Sequence, residues 1–446
     1  MLDLALVIIF CILGVILGVA TGLLPGLHVN NIALILLSLS GSIVAISSPL
    51  SAYGISEHFV FLLICGFIVA VSISHTFHDA IPTTFIGAPE EDTALSVLPA
   101  HNLLLQGRGY HAIAYSALGS FGAIVACIFL FYPLRFIIGS PLFLYSTLQE
   151  IMVWLLIAIS ILMIATETAK INDFGNRGKM PSIAGMLFAI FVFFLSGVFG
   201  LIILDFEVNS PIGLQAPVLF PALAGLFGTP TLLNSLMTKP IIPKQKIEKL
   251  KLDAKEKKSS ILSVITGSLA GILVSIIPGI TSATGTILAM NARGESGDEQ
   301  TIVTLSSVNT ASAFSVIVVL FVILRPRSGA ALAVNDLITI EEWTTLMLPT
   351  DLIYLLMFLV LGGSLSYFLT LKIGKTFARR FSHVPYPLIV TMTIIMITML
   401  VIIFTGIVGV LILIAATFIG FLPVLWGVRR SHCMGVLLIP IILHFL

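Results

Sequence analysis

Long apolar runs recur along the whole chain, separated by short polar stretches. They include Leu2–Leu24, His111–Pro133, Met180–Leu204, Leu305–Leu324 and Leu346–Leu371. Each run reaches the roughly 18 apolar residues that a helix needs to cross a bilayer. The sequence lacks the ten-residue alternation of apolar and polar positions that is typical of outer-membrane barrels. This pattern predicts an all-α polytopic integral membrane protein.

The composition agrees with that prediction and excludes several other classes. Of 446 residues, 58% are hydrophobic and 10% are charged, too few charges to cover the surface of a soluble domain of this length. The net charge of +1 says nothing about partners, but no basic face lies outside the loops, which argues against a nucleic-acid partner. The four cysteines stand singly in apolar runs, which predicts neither a disulfide framework nor a zinc site.

A lysine-rich stretch divides the chain into two apolar halves. We predict a first transmembrane repeat over residues 1–238, a linker over 239–259 and a second repeat over 260–446. The positive-inside rule places the linker in the cytoplasm of a multi-pass cell-membrane protein. The basic stretches Lys170–Lys179 and Lys372–Arg380 are predicted to be loops on the same side.

Each half contains an apolar run that is broken by a Pro-Gly pair. At a constant offset of 253 residues, Gly14, Gly18, Pro25 and Gly26 fall on Gly267, Gly271, Pro278 and Gly279. Counting spans from the basic stretches requires each broken run to be a helical hairpin, and the two hairpins to enter from opposite faces. We therefore predict two inverted-topology repeats with interrupted helices, an arrangement that places a transporter's site near the membrane midplane.

The tips of these hairpins are candidate anion sites. Proline and glycine stop one helix and let another begin, and the new helix presents free N–H groups and the positive end of its dipole. Small polar residues follow the tips and recur inside later apolar runs. The candidate substrate-binding residues are Pro25, Gly26, Asn30, Asn31, Thr83, Thr84, Pro278, Gly279, Thr281, Ser282, Thr284, Asn309 and Thr310. The alternative is that these breaks serve helix packing alone.

Asp79 is a candidate for coupling to a cation, together with Asn31 and Asn309. A carboxylate at membrane depth suggests binding of Na⁺ or H⁺, and its alternative is an aspartate at a membrane interface. We expect no resident cofactor or metal. His75 and His78 beside Asp79 leave open an intramembrane metal-dependent enzyme, although neither an H-E-x-x-H nor a G-x-S-x-G motif occurs.

Three stretches resemble a known family. "GVATGLLPGL", "IGAPEEDTALSVLPAHNLLLQGRGYHAIAYSALGSF" and "GILVSIIPGI" are similar to the large membrane subunit of tripartite tricarboxylate transporters, the TctA family, and to its shorter archaeal-type relatives. The resemblance implies a cation-coupled permease for tricarboxylates or related organic acids. It also implies two partners, a small membrane subunit and an extracytoplasmic solute-binding protein. The chain departs from the family's pattern at "IGAPEED" and "RPRSG", where Pro-Gly turns are usual.

From these observations we expect a secondary active transporter that moves organic anions by alternating access, and not an enzyme. A flippase for polyprenyl or other lipid phosphates, the metal-dependent enzyme and a channel remain the alternatives. A second copy of the chain is a further candidate partner. Arg429 and Arg430, near the end of the chain, either anchor a helix at a cytoplasmic turn or meet the anionic solute, and anchoring is the favoured interpretation.

Overall fold

The computed structural model describes residues 2–24, 33, 36–37, 54–87, 93–165, 167, 181–204, 206, 218–238, 243–248, 250–277, 280–293, 297–381 and 385–446. Every regular element within these ranges is helical, and none of them is a β-strand. The all-α class that the apolar runs predict is therefore confirmed.

The described helices are numbered in chain order. In chain order they are α1 (Leu2–Gly22), α2 (Glu57–His78), α3 (Ala80–Phe85), α4 (Val97–Leu105), α5 (Gly109–Ile138), α6 (Leu144–Glu150), α7 (Met152–Ala165), α8 (Pro181–Leu204), α9 (Leu219–Leu223), α10 (Thr229–Thr238), α11 (Ala254–Ile276), α12 (Ser282–Arg293), α13 (Asp298–Ile323), α14 (Gly329–Leu337), α15 (Thr350–Phe381), α16 (Tyr386–Trp426) and α17 (Gly435–Phe445). Two 3-10 helices, Ala94–Ser96 and Arg430–Met434, and a π-helical turn, Ala224–Gly228, complete the series.

Nine helical stretches of the described chain are long and apolar enough to cross a bilayer, one of them being α9, the π-helical turn and α10 taken together (Leu219–Thr238). The bent pair α6–α7 makes a tenth if it crosses as one span. The two members of that pair meet at 73°. α2 and α13 are the most deeply buried of the long helices, so they form the centre of the molecule. A multi-pass membrane protein follows from these lengths and compositions.

α1 packs along α2 through a seam of glycines. A Cβ atom added to Gly14 would lie 2.7 Å from the carbonyl oxygen of Phe67, and one added to Gly18 would lie 2.7 Å from that of Val71. Only glycine permits so close an approach of two helix backbones, which is a common device for packing helices in membranes. Because the later glycine of α1 contacts the later of the two α2 residues, α1 and α2 run parallel.

α11 packs along α13 in the same way. A Cβ atom added to Gly267 would lie 2.7 Å from the carbonyl oxygen of Thr304, and one added to Gly271 would lie 2.5 Å from that of Val308. These glycines follow their counterparts in α1 at the predicted offset of 253 residues, and the contacted carbonyls follow theirs by 237 (67 to 304, 71 to 308). The two helix pairs therefore share one packing register.

The other long helices fix the relative direction of the two pairs. α15 runs parallel to α2, and α5 runs parallel to α13. Between α2 and α15, Gly66 contacts Phe358 and His78 contacts Thr370. Between α5 and α13, Gly119 contacts Val303 and Cys127 contacts Ser315. In both pairs the residue numbers of the contacts increase in the same direction along the two helices. Each central helix is thus packed against a parallel helix from the opposite half of the chain.

α5 and α15 run antiparallel to each other. Gly363 contacts Ile124, and Gly374, further along α15, contacts Ile113, nearer the start of α5. It follows that the pair α1–α2 and the pair α11–α13 run in opposite directions. Within the second half, α11 and α12 are antiparallel, since Gly285 contacts Val274 and Arg293, at the end of α12, donates to the hydroxyl of the earlier residue Ser263.

The described part of the lysine-rich linker packs against one end of this helix arrangement. The side-chain oxygen of Gln245 accepts from the N–H of Gly109 at 2.8 Å, where α5 begins. α11 begins nearby at a capping box, in which the Asp253 side chain accepts from the Glu256 N–H. The starts of α5 and α11 therefore lie at the linker end, and its location in the cytoplasm stays a prediction.

One predicted loop is helical. The basic stretch Lys372–Arg380 continues α15, which ends at Phe381. Lysine and arginine have high helix propensity, and no proline interrupts the stretch, so the helix extends beyond the apolar run that precedes it.

Candidate functional site

Asp79 lies at the junction of α2 and α3, with only 3% of its surface exposed. Its N–H donates to the His75 carbonyl at 3.0 Å, and its own carbonyl accepts from the Thr83 hydroxyl at 2.7 Å. Pro82 has no N–H, so the carbonyl of His78 lacks the donor that a continuous helix would supply. The junction therefore places a carboxylate beside a main-chain carbonyl that has no helical partner.

Two predicted residues of the second half meet this junction. The Asn309 Nδ2 donates to the Asp79 Oδ2 at 3.0 Å, across 230 positions of sequence. The Thr310 and Thr76 hydroxyl oxygens lie 3.1 Å apart, and all four side chains are buried. The amide oxygen of Asn309 adds an acceptor to the Asp79 carboxylate, so oxygen ligands suited to a hard cation converge from both halves.

The threonines after Asp79 extend this polar layer. The Thr83 hydroxyl lies 3.1 Å from that of Thr93, whose carbonyl accepts from the Ser96 hydroxyl at 2.8 Å. Thr84 is equally buried. The layer thus reaches from Asp79 to the 3-10 helix Ala94–Ser96.

The predicted residues at the start of α12 approach the same layer. The Thr281 hydroxyl accepts from the Thr284 N–H at 3.4 Å, and Ser282 and Thr284 are buried. A Cβ atom added to Gly285 would lie 3.0 Å from the Val308 side chain, next to Asn309 in the sequence. The buried Thr284 hydroxyl has no hydrogen-bond partner in the described chain. It is therefore a polar group that a ligand could satisfy.

The remaining predicted residues are not part of the described chain. Pro25, Gly26, Asn30 and Asn31 of the first hairpin, and Pro278 and Gly279 of the second, lie outside the described residues. The flanking helices end at Gly22 and at Ile276, and their roles at the tips stay predictions.

The two histidines before Asp79 contact different helices. His75 Nδ1 lies 3.2 Å from the Thr21 hydroxyl on α1, whereas His78 Nε2 lies 3.2 Å from the Thr370 hydroxyl on α15. His78 Nδ1 also lies 2.7 Å from the carbonyl oxygen of Ser74. In the described part of the chain, no group of three or more His, Cys, Asp or Glu residues is arranged to hold a metal ion.

A second buried cluster of charged residues was not predicted from the sequence. Glu167, which follows α7, lies 2.6 Å from His432 Nε2 and accepts from the Arg429 N–H at 3.1 Å. The side chains of Glu167 and His432 are 1% and 0% exposed. The only hint of this cluster in the sequence is a glutamate two residues beyond an apolar run, and its histidine partner lies 265 positions away.

The neighbouring Arg430 has a different environment. Its Nη1 donates to the carbonyl of Phe227 in the π-helical turn and to the hydroxyl of Thr231 on α10. Both acceptors are neutral. The 3-10 helix that begins at Arg430 packs against the middle of α8, because the Ser196 hydroxyl donates to the His432 carbonyl at 3.3 Å.

Comparison with known proteins supports one family. The sequence model of the family described as "Tripartite tricarboxylate transporter TctA family" matches residues 8–435. An uncharacterised protein of Methanocaldococcus jannaschii is 29% identical over 448 residues, covering 98% of this chain and 99% of that protein. No solved structure matches the chain.

Proposed function

The chain belongs to the tripartite tricarboxylate transporter TctA family, and on that premise we propose that it is a secondary active transporter for organic anions. Tricarboxylates or related carboxylates are the proposed substrates. A gradient of Na⁺ or H⁺ supplies the driving force, and the two halves alternate in exposing the site to either side. A transporter family also argues against an enzyme.

The contact between Asp79 and Asn309 carries this proposal. A buried carboxylate at membrane depth is costly unless it has partners, and such residues mark ion and substrate pathways. Here the partner is an amide from the other half of the chain, 3.0 Å away. A cation bound by Asp79, the Asn309 amide oxygen and, by proposal, Asn31 would add a second link between the two halves while it is present.

The direction of the helix pairs supports an inverted repeat. α1–α2 and α11–α13 share a glycine register and run in opposite directions, which is the relation expected of transporter halves around a midplane site. We propose that the Pro25–Gly26 and Pro278–Gly279 turns face each other across this site. Their free N–H groups would bind carboxylate groups of the solute, with the hydroxyls of Thr83, Thr84, Thr281, Ser282, Thr284 and Thr310 around them.

The family's name describes a tripartite system, and we propose the corresponding partners for this chain. They are a small membrane subunit and an extracytoplasmic solute-binding protein. The same proposal puts the lysine-rich linker in the cytoplasm, on the side opposite to the binding protein.

Uptake in liposomes that hold the protein together with its proposed small membrane subunit, with the proposed binding protein supplied, tests this function. We expect accumulation of at least one acid from a panel of mono-, di- and tricarboxylates, driven by either an imposed Na⁺ gradient or an imposed H⁺ gradient. Asn309→Ala should reduce the initial rate by about tenfold or more, since it removes a hydrogen bond to a buried charge. Ser312→Ala, one turn further along α13, is the matched control. If neither gradient drives uptake of any acid, the proposed function is wrong.

A further inference from the structure

Arg430 is a cation that borders the polar layer and lacks a carboxylate partner in the described chain. Its hydrogen bonds go to a main-chain carbonyl and a threonine hydroxyl, both made by Nη1. Arg429, the preceding residue, instead lies 3.7 Å from a carboxylate oxygen of Glu167. Removing a cation from water without a counter-ion is unfavourable, so a fold that keeps one implies an anion that arrives from outside.

The depth of Arg430 argues against a role as a surface anchor. Ser196, which contacts the same 3-10 helix, is the sixteenth residue of α8, a helix of 24 residues. At 1.5 Å per residue, Ser196 lies about 22 Å along a helix of about 36 Å, within the middle third of its length. Ionisable groups at such depth usually face a cavity or a transport pathway.

The surroundings of Arg430 join it to the proposed substrate site. The 3-10 helix Ala94–Ser96 lies against both the 3-10 helix of Arg430 and α13, the helix that carries Asn309. Thr93, just before it, is hydrogen-bonded to Thr83. On another side, a Cβ atom added to Gly87 would lie 3.6 Å from the Thr231 methyl group. Arg430 therefore borders the segment that runs from Asp79 through Thr83 to Gly87.

One edge of the Arg430 guanidinium group has no hydrogen-bond partner among the described residues. Phe227 and Thr231 engage Nη1 alone, and Arg430 is only partly exposed. The remaining Nε and Nη2 donors point along one edge of a planar group that matches a carboxylate with two parallel hydrogen bonds. The π-helical turn helps to orient this edge, since it supplies the Phe227 carbonyl.

From these observations we propose that Arg430 binds a carboxylate group of the transported solute and sets the preference for multiply charged acids. The inference rests on the proposed transport function and assigns a residue to it. Glu167, His432 and Arg429 act as positioning residues, because their contacts fix the turn from which Arg430 extends.

Uptake kinetics in liposomes with citrate and succinate as probes test this assignment. Loss of a hydrogen-bonded ion pair to the solute predicts a rise of about 10- to 100-fold in the KM for citrate with Arg430→Gln. Arg430→Lys should give an intermediate KM, since it keeps the charge and loses the paired geometry. The preference for citrate over succinate should narrow in Arg430→Gln, a change that a purely structural role would not produce.

Arg293→Gln is the matched control. Arg293 also contacts two hydroxyls, those of Ser263 and Thr304, but it lies at the far end of α12 from Ser282. Its KM for citrate should equal that of the wild type. If Arg430→Gln fails to give monodisperse protein, the KM values of Arg430→Lys and Thr231→Val for citrate provide the test instead.

The outcomes separate the two proposals. Wild-type uptake with an unchanged KM and an unchanged citrate preference in the Arg430 variants would overturn the role of Arg430 and leave the transport function intact. Wild-type protein that takes up neither probe nor any other acid would overturn both.

Discussion

The helix pairs α1–α2 and α11–α13 share a packing seam and differ in the side chains that follow it. At the offset of 237 residues that relates the contacted carbonyls of α2 and α13, His75, His78 and Asp79 correspond to Ser312, Ser315 and Val316. The first pair thus ends in three titratable groups. The second carries hydroxyls, and its amide, Asn309, lies one turn earlier.

This difference shows that packing restricts the glycines of the two pairs but not the side chains that follow them. Close backbone contact fixes the glycines of both pairs, because any side chain there would meet a carbonyl oxygen of the neighbouring helix. The residues that follow the contacted carbonyls on α2 and α13 are not restricted in this way. The two pairs can therefore have different side chains there while their backbones pack alike. A charged residue from one half and a neutral amide from the other suit a single coupling cation, whereas two carboxylates would leave excess negative charge.

The largest effect should come from filling the seam. We expect Gly18→Val and Gly271→Val each to destabilise the protein by about 3 kcal/mol or more, since even a Cβ atom lies 2.7 Å or less from a main-chain oxygen at both positions. The yield of monodisperse protein and its apparent melting temperature measure this loss.

Ala20→Val on the exposed face of α1 is the control and should leave both quantities unchanged. The shared register predicts losses of similar size in the two pairs. Normal yield and melting temperature for one glycine variant, with loss for the other, would contradict the equivalence of the pairs.

A large effect confined to function is expected from Asp79→Asn. Neutralising the carboxylate should lower gradient-driven solute uptake by about 10- to 100-fold, because it removes the only charged ligand proposed for the cation. Exchange of labelled for unlabelled solute, which needs no net cation flux, should be less affected. Val316→Ala, at the corresponding position of the other pair, is the control for packing. Gradient-driven uptake by Asp79→Asn at the wild-type rate would exclude Asp79 from coupling.

The membrane class, the family and the matched glycines of the two halves could be read from the sequence, because each depends on local composition or on a fixed offset. Asp79 and Asn309 could be singled out as polar residues in apolar surroundings. Their mutual contact could not, since it depends on how α2 and α13 pack across the molecule.

The cluster of Glu167 and His432 escaped prediction for the same reason. Each residue alone is an ordinary polar residue beside an apolar run, and only the packing of α17 and the preceding 3-10 helix against α7 brings them to 2.6 Å. Arg430 was singled out, but its depth depends on that packing as well. The basic residues of Lys372–Arg380 led to the prediction of a loop, but the helix continues through them to Phe381. A change from apolar to basic residues therefore does not show where the helix ends.

The smallest effect should come from the hydroxyl pair that joins the two central helices, Thr76 and Thr310. Thr76→Val alone leaves the Thr310 hydroxyl buried without this partner, and we expect a loss of about 1–3 kcal/mol. Thr310→Val should cost less, because the Thr76 hydroxyl keeps its hydrogen bond to the Ile73 carbonyl. The double variant should be destabilised by less than the sum of the two, because replacing both partners with apolar groups of the same shape removes the unsatisfied hydroxyl. Apparent melting temperatures of the four proteins measure this coupling. Strictly additive losses would mean that the two hydroxyls do not interact, and that Asp79 and Asn309 alone link the polar ends of the two pairs.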